Sequence, residues 1–222
     1  MFSDRAEAGQ KLAERLIQIA PKGAVVLALP RGGVPVAAVV AAALGAPLDL
    51  MLVRKIGAPG QAELAVGAIA GANGDEVVVN DDVAAMMGLT AEDVRKLGDR
   101  ERPELQRRQA LYLAGRAAVA LAGKVVILVD DGIATGATAK AALRAIRKSG
   151  PAQIILAVPV ASPEALTELR AHADLIVCLE APTGFNAVGA HYARFPQVSD
   201  AEVLEFMKAA APEELRPVRN NP

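Results

Sequence analysis

Residues 125–138 read Val-Val-Ile-Leu-Val-Asp-Asp-Gly-Ile-Ala-Thr-Gly-Ala-Thr, and this stretch decides the fold. The five apolar residues 125–129 predict a strand that is buried on both faces, as parallel sheets require. The amphipathic segment 137–149 predicts a helix directly after the loop. Such a strand and helix form the repeating unit of α/β proteins. Asp130 and Asp131 then lie at the carboxyl edge of the sheet, where open α/β folds bind their ligands.

The loop that follows the two acids is suited to a phosphate. Its residues are small, and it leads directly into a helix whose free N–H groups and dipole favour an anion. The acids beside it can accept hydrogen bonds from hydroxyls or bind a metal ion. A phosphorylated sugar fits this combination, whereas the alternative is a buried strand with a polar turn and a well-capped helix. The turn contains neither the Gly-Lys-Ser/Thr of a P-loop nor the Gly-x-Gly-x-x-Gly of a dinucleotide site.

Strand and helix patterns alternate on both sides of this unit. Strands are predicted at 24–29, 48–53, 64–70, 76–79, 153–159 and 174–180, and helices at 5–20, 34–44, 90–115, from 162 onward and at 199–210. Pro103 is expected to interrupt or restart the long helix. The alternation predicts an α/β fold with a doubly wound, mainly parallel sheet and helices on both faces. We expect a single domain over residues 1–211 and a loose tail over 212–222.

Composition excludes several classes of protein. The chain has 222 residues, of which 53% are hydrophobic, so it can bury a substantial core. A net charge of −1 argues against a general affinity for nucleic acid or an anionic membrane. The uncharged stretch 32–48 is too short and too rich in Gly and Pro to span a bilayer. The single cysteine, Cys178, cannot form an internal disulfide and is expected to pack in a strand. We expect a cytoplasmic protein that binds neither membranes nor nucleic acid.

Two further strands end in cationic segments. Leu29-Pro-Arg-Gly-Gly33 ends the first strand, and its glycines allow backbone amides to approach an anion closely. Val53-Arg54-Lys55 ends the second strand and precedes a Gly- and Pro-rich segment, 57–61, that is expected to be a mobile loop. Taken alone, each segment is an ordinary turn or a solvated surface. At the same edge of the sheet as Asp130, Asp131 and the phosphate-suited loop 132–138, these cationic segments predict a site for an anion larger than a single phosphate.

The segment 125–138 resembles the phosphoribosyl pyrophosphate (PRPP) motif of the type I phosphoribosyltransferases. The resemblance implies that Asp130 and Asp131 hold the ribose hydroxyls, directly or through Mg²⁺. It assigns the 5′-phosphate to Gly132, Ala134, Thr135, Gly136, Ala137 and Thr138. It assigns pyrophosphate to Arg31, Gly32 and Gly33, in a loop that often has a strained or cis peptide in this family. Arg54 and Lys55 resemble the start of the flexible catalytic lid and would neutralise the leaving group.

Aromatic residues make up 3% of the chain, yet Phe185, Tyr192 and Phe195 lie within eleven residues of one another. The surrounding sequence is too irregular for a helix or strand. In the phosphoribosyltransferases, a variable hood shapes the pocket of the nucleobase, and here it would occupy about 181–198. The three rings would stack on the base. The alternative is that they attach a long loop to the core.

Over residues 1–210, the chain most resembles a bacterial group of phosphoribosyltransferases without an assigned base. The resemblance implies a Mg²⁺-dependent enzyme of nucleotide metabolism, expected as a homodimer, that transfers the phosphoribosyl group of PRPP to a nucleobase or related nitrogen acceptor. Ala134 occupies the position of an aspartate that acts on the purine in the hypoxanthine-guanine branch, so 6-oxopurine specificity by that route is not expected. A PRPP-sensing regulator without turnover and a hydrolase of related sugar phosphates remain alternatives.

Overall fold

The computed structural model of the protein describes residues 1–71, 76–114, 116 and 118–210, so the predicted tail at 212–222 lies outside the described residues. The strands are β1 (Val25–Ala28), β2 (Leu48–Leu50), β3 (Val53–Ala58), β4 (Gln61–Ala70), β5 (Glu76–Val79), β6 (Val125–Val129), β7 (Gln153–Val160) and β8 (Leu175–Glu180). The helices are α1 (Arg5–Ile17), α2 (Gly33–Leu44), α3 (Asp81–Met86), α4 (Ala91–Tyr112), α5 (Ala137–Lys148), α6 (Pro163–Leu169) and α7 (Asp200–Ala209). A short 3₁₀-helix spans Val188–His191.

The main sheet has five parallel strands in the order β2-β1-β6-β7-β8. The strands β1, β2, β6 and β7 are almost entirely buried because helices cover both faces, whereas the edge strand β8 is only partly buried. Ile127 and Val129 of β6 face the core formed with α1, α2 and α7, whereas Val126 and Leu128 face α5 and α6. The predicted α/β class, with a mainly parallel sheet between helices, is confirmed. Parallel pairing also brings the carboxyl ends of β1 and β6 together at one edge.

The predicted strand at 48–53 is divided between two sheets. β2 ends at Leu50, and Val53 begins a separate antiparallel sheet with the order β3-β4-β5, which we call the ribbon. The segment 57–61, expected to be a mobile loop, forms the tip of the β3–β4 hairpin. Pro59 and Gly60 form its two-residue turn, and Gly60 has φ +75°, as the third position of a type II turn requires.

The helix α4 continues through Pro103, so the expected interruption there is wrong. Pro103 is exposed, and water can therefore bind the carbonyl that its missing N–H leaves without a helical partner. Thr90 begins the helix with a capping box to Asp93, as its sequence predicts. Within the described ranges, no helix is both long enough and apolar enough to cross a membrane.

We expect Gly67→Ala to loosen the ribbon from α4. A Cβ at Gly67 would lie 2.6 Å from the carbonyl oxygen of Val78 and 2.9 Å from a methyl group of Val94. Because the first neighbour is backbone, strand or helix must shift, at a cost of about 1–3 kcal/mol. Urea denaturation measures this loss. An unchanged midpoint and slope would show that the ribbon tolerates the methyl group without displacement.

Candidate active site

Two carboxyl groups follow β6 at the carboxyl edge of the sheet. The N–H of Asp131 donates to Oδ1 of Asp130 at 2.8 Å, and Oδ2 of Asp131 accepts from Nε of Arg5 at 2.8 Å. Burial raises the pKa of Asp130 well above its ordinary value, and the neighbouring Asp131 adds to this rise. Burial also raises the pKa of Asp131, while Arg5 opposes the rise. Both carboxyl groups therefore hold a proton more readily than a free aspartate does.

The loop after the acids surrounds a concavity of about 200 Å³. Gly136 has φ +76° and is the N-cap of α5, where it supplies no side chain to bind the first amides of the helix. These amides are consequently available to an anion. The carbonyl of Ala134 accepts from Oγ of Ser162 at 2.7 Å, which fixes the loop against the start of α6. The concavity is lined by Asp130, Gly132, Ile133, Ala134, Thr135, Gly136, Thr138, Ala139 and Val188.

The glycines after β1 lie directly against the two acids. A Cβ at Gly32 would be 2.1 Å from Oδ2 of Asp131, and one at Gly33 would be 2.9 Å from Cα of Asp130. Only glycine fits at such distances. The peptide between Pro30 and Arg31 is cis, as the family resemblance led us to expect. The guanidinium of Arg31 contacts Oδ1 of Asp200 at 3.3 Å. The predicted pyrophosphate loop and the acid pair therefore form one continuous surface.

The two cations of the ribbon point in different directions. Arg54 forms an ion pair with Glu101 of α4. Lys55 is exposed and lines a cavity of about 200 Å³ between the ribbon and α5, together with Thr135 of the phosphate loop and Lys140. This difference follows from the alternation of side chains along a strand. In this conformation, Lys55 is therefore the member of the pair that faces the phosphate loop.

The aromatic residues of the hood have structural contacts. Tyr192 is buried, its hydroxyl donates to the backbone carbonyl of Asp131 at 2.6 Å, and its ring packs 5.4 Å from that of Phe2. Phe195 packs 4.9 Å from Tyr192 and lies under the guanidinium of Arg5. Phe185 stacks on His191 at 5.5 Å. These contacts favour the alternative in which the rings attach the loop to the core, most clearly for Tyr192.

Phe195 nevertheless reaches the site at its edge. It is 36% exposed and lines a concavity of about 510 Å³ beside the acids. The same concavity is lined by Arg5, Arg31, Gly32, Asp131, Val188, Pro196, Gln197 and Val198. Phe195 therefore lines the concavity beside the acids, as a base-binding ring would. Tyr192 instead binds the backbone carbonyl of Asp131 through its hydroxyl.

The sequence analysis missed Arg5. Its side chain is buried among Asp131, Phe195 and the carbonyl of Pro196, residues that lie far away along the chain. One signal was present: a cation in the first turn of a helix opposes the helix dipole and therefore suggests a specific anionic partner. The sequence could not identify that partner.

One edge of the parallel sheet thus carries an acid pair, a small-residue loop at a helix N-terminus and the glycine loop (residues 31–33), and open α/β folds bind ligands at this edge. A family model described as a phosphoribosyl transferase domain matches residues 4–193, and the chain belongs to this family. Two curated relatives from strains of Mycobacterium tuberculosis, each named "Putative phosphoribosyl transferase", are 47% identical over 210 residues. The match covers 95% of this chain and 47% of each relative, so the chain spans about half their length.

Two solved structures are similar to this chain. The crystal structure of TT1426 from Thermus thermophilus is 42% identical and superposes with a TM-score of 0.83, covering 95% of this chain and 99% of that one. The AQ2163 protein from Aquifex aeolicus is 14% identical with a TM-score of 0.50, covering 92% of this chain and 83% of that one. The second likeness concerns the fold alone.

Proposed function

We propose that the protein is a Mg²⁺-dependent phosphoribosyltransferase that transfers the 5-phosphoribosyl group of PRPP to a nucleobase or related nitrogen acceptor and releases pyrophosphate. The observation that carries the proposal is the contact between the glycine loop after β1 and the acids after β6, with a Cβ at Gly32 reaching within 2.1 Å of Asp131. Pyrophosphate and ribose are adjacent in PRPP, and the two loops that would hold them are adjacent here. A homodimer is proposed on the family resemblance alone.

Each part of PRPP has proposed partners around this contact. Asp130 and Asp131 accept hydrogen bonds from the ribose hydroxyls. The backbone amides of residues 134–138 and the hydroxyls of Thr135 and Thr138 bind the 5′-phosphate at the N-terminus of α5. Arg31 and the amides of Gly32 and Gly33 bind the pyrophosphate, and Lys55 adds positive charge from the ribbon.

The reaction breaks the bond between C1 of the ribose and the pyrophosphate oxygen and forms one between C1 and the acceptor nitrogen. Negative charge grows on the leaving pyrophosphate while C1 becomes oxocarbenium-like. Amide donors and cations at the pyrophosphate therefore lower the barrier more than a nucleophilic side chain does. The glycine loop and Arg31 are suited to this role, since they are in place before the reaction begins.

The donors present fit a magnesium ion that arrives with the substrate. Among the described residues, no group of three or more His, Cys, Asp or Glu side chains is arranged to hold a metal ion. Mg²⁺ typically uses one or two carboxylates together with substrate phosphates and water. Asp130 and Asp131 would be the protein ligands, directly or through water. The bound ion would offset the negative charge of the pyrophosphate oxygens.

One observation favours the PRPP-sensing alternative. Arg54, predicted to neutralise the leaving group, is held by Glu101 and is directed toward α4. A sensor needs PRPP affinity and no cations for a leaving group. The exposed Lys55 beside Thr135 favours the enzyme instead. Pyrophosphate release with a panel of bases separates the two functions, because only an enzyme releases it.

Calorimetric titration with PRPP tests the site. We expect saturable binding with Mg²⁺ and weaker binding with EDTA. Thr138→Val is expected to weaken binding about tenfold because it removes one hydrogen bond to a charged phosphate. Thr167→Val is the matched control, since Thr167 is exposed and its hydroxyl donates to the carbonyl of Pro163 within the same helix, α6. No binding at millimolar PRPP would contradict the enzyme and the sensor together.

A further inference from the structure

Arg5 lies where a helix disfavours a cation. It occupies the first turn of α1, where the positive end of the helix dipole repels it, and its side chain is only 10% exposed. Taking a guanidinium out of water is costly unless its hydrogen bonds are replaced. The amphipathic pattern of α1 does not require arginine at this position. The contacts that offset the cost of burying this guanidinium come from outside α1.

Three contacts surround the guanidinium, one from the end of β6 and two from the hood. Nε donates to Oδ2 of Asp131 at 2.8 Å, at the end of β6. Nη1 donates to the carbonyl of Pro196 at 2.7 Å, in the hood. The guanidinium carbon lies 3.8 Å from the centroid of the Phe195 ring. A planar fork with donors in fixed directions is needed to meet the carboxylate and the carbonyl at once, and lysine cannot provide it.

We propose that Arg5 is a positioning residue that holds the Asp131 carboxylate in its orientation toward the ribose and joins it to the hood. This inference rests on the proposed function, since it takes Asp131 as a ribose-binding residue. Asp131 is held at two points: Arg5 binds its carboxylate, and the Tyr192 hydroxyl binds its backbone carbonyl at 2.6 Å. The donors Nε and Nη1 of Arg5 are both engaged by protein acceptors, so its role is assigned through Asp131 and the hood.

Comparing the binding of two ligands by Arg5 variants distinguishes a positioning role of Arg5 from a general structural role. PRPP contains the ribose that Asp131 would bind, whereas inorganic pyrophosphate contains only the group assigned to the glycine loop. With EDTA present, so that binding of Mg²⁺ by Asp131 contributes to neither affinity, Arg5→Gln is expected to weaken PRPP binding about 10- to 100-fold, the usual cost of losing a group that orients a binding carboxylate. Pyrophosphate binding should stay within about twofold of the wild type. Arg5→Lys should lie between Arg5→Gln and the wild type for PRPP.

The matched control joins the same two parts of the protein without touching Asp131. Arg194, in the hood, pairs with Asp4 at the start of α1 at 2.6 Å, and its side chain is 73% exposed. Arg194→Gln should leave the affinity for both ligands within about twofold. If Arg5→Gln binds PRPP as the wild type does, the inference is wrong and the proposed function stands.

Two other outcomes also overturn the inference. Equal weakening of PRPP and pyrophosphate would show that Arg5 merely supports the structure of the hood. Failure of the wild-type protein to bind PRPP would overturn the proposed function and this inference with it. A thermal melt of each variant accompanies the titrations, so that a loss of folded protein is recognised as such.

Discussion

Gly32→Ala is expected to reduce PRPP affinity by about 100-fold or more, the largest effect of any single methyl group that we foresee. The added Cβ would lie 2.1 Å from Oδ2, 2.6 Å from Cγ and 2.9 Å from Oδ1 of Asp131. Asp131 cannot move aside freely, because Arg5 holds its carboxylate and Tyr192 its carbonyl. The glycine loop must therefore move away from the acids and carry the proposed pyrophosphate amides with it. The expected cost in stability is about 1–3 kcal/mol.

Calorimetry with PRPP and urea denaturation measure these two effects. Gly184→Ala is the control, because no atom lies within 4 Å of the Cβ it would add and Gly184 has an ordinary φ. It should change neither affinity nor stability appreciably. Should Gly32→Ala bind PRPP normally, the contact between the glycine loop and the acids would have no role in binding.

Asp131→Ala is expected to lower the free energy of unfolding by about 3–5 kcal/mol, because it leaves the buried guanidinium of Arg5 without its anion. Both side chains of the pair are nearly buried, with 10% and 12% exposure. Adding Arg5→Met to this variant should recover part of the loss, since a neutral side chain of similar length replaces the unpaired charge. Urea denaturation of the single and double variants measures both quantities.

An exposed ion pair provides the comparison for Asp131→Ala. Glu168 pairs with Lys140 at 2.6 Å, and its side chain is 51% exposed. Glu168→Ala should change stability by less than about 1 kcal/mol, because water screens and replaces such a contact. Similar losses for Asp131→Ala and Glu168→Ala would mean that burial adds nothing to the Arg5–Asp131 pair.

The sequence predicts those parts of the fold that depend on local patterns. The apolar run at 125–129 has a single interpretation, a strand buried on both faces, and the parallel sheet follows from repeated units of this kind. The ribbon is harder to predict, because Val53-Arg-Lys-Ile-Gly-Ala58 has no regular alternation of apolar and polar residues. The hairpin was nevertheless encoded in the turn residues Pro59 and Gly60, which the sequence analysis treated as a mobile loop.

The site residues likewise divide into those that local sequence patterns predict and those that only tertiary packing brings to the site. The acids and glycines follow strand ends, so pairing of parallel strands brings them together without further information. Arg5 and Tyr192 reach Asp131 only through tertiary packing, across 126 and 61 positions in the sequence. No local pattern encodes such a contact. Arg54 illustrates a further limit, since neither its place within β3 nor its pairing with Glu101 follows from a local pattern.

The Arg5 contacts have a consequence for synthesis of the chain. Arg5 is synthesised well before the residue whose carbonyl its Nη1 binds, because Pro196 lies 191 positions later. The five strands of the main sheet are complete at Glu180, before that carbonyl exists. A nascent chain can thus build its sheet while the arginine still lacks one of its partners. Closure of contacts between such distant residues is entropically costly and slow. The acid pair therefore acquires its final surroundings only after Pro196 has been made.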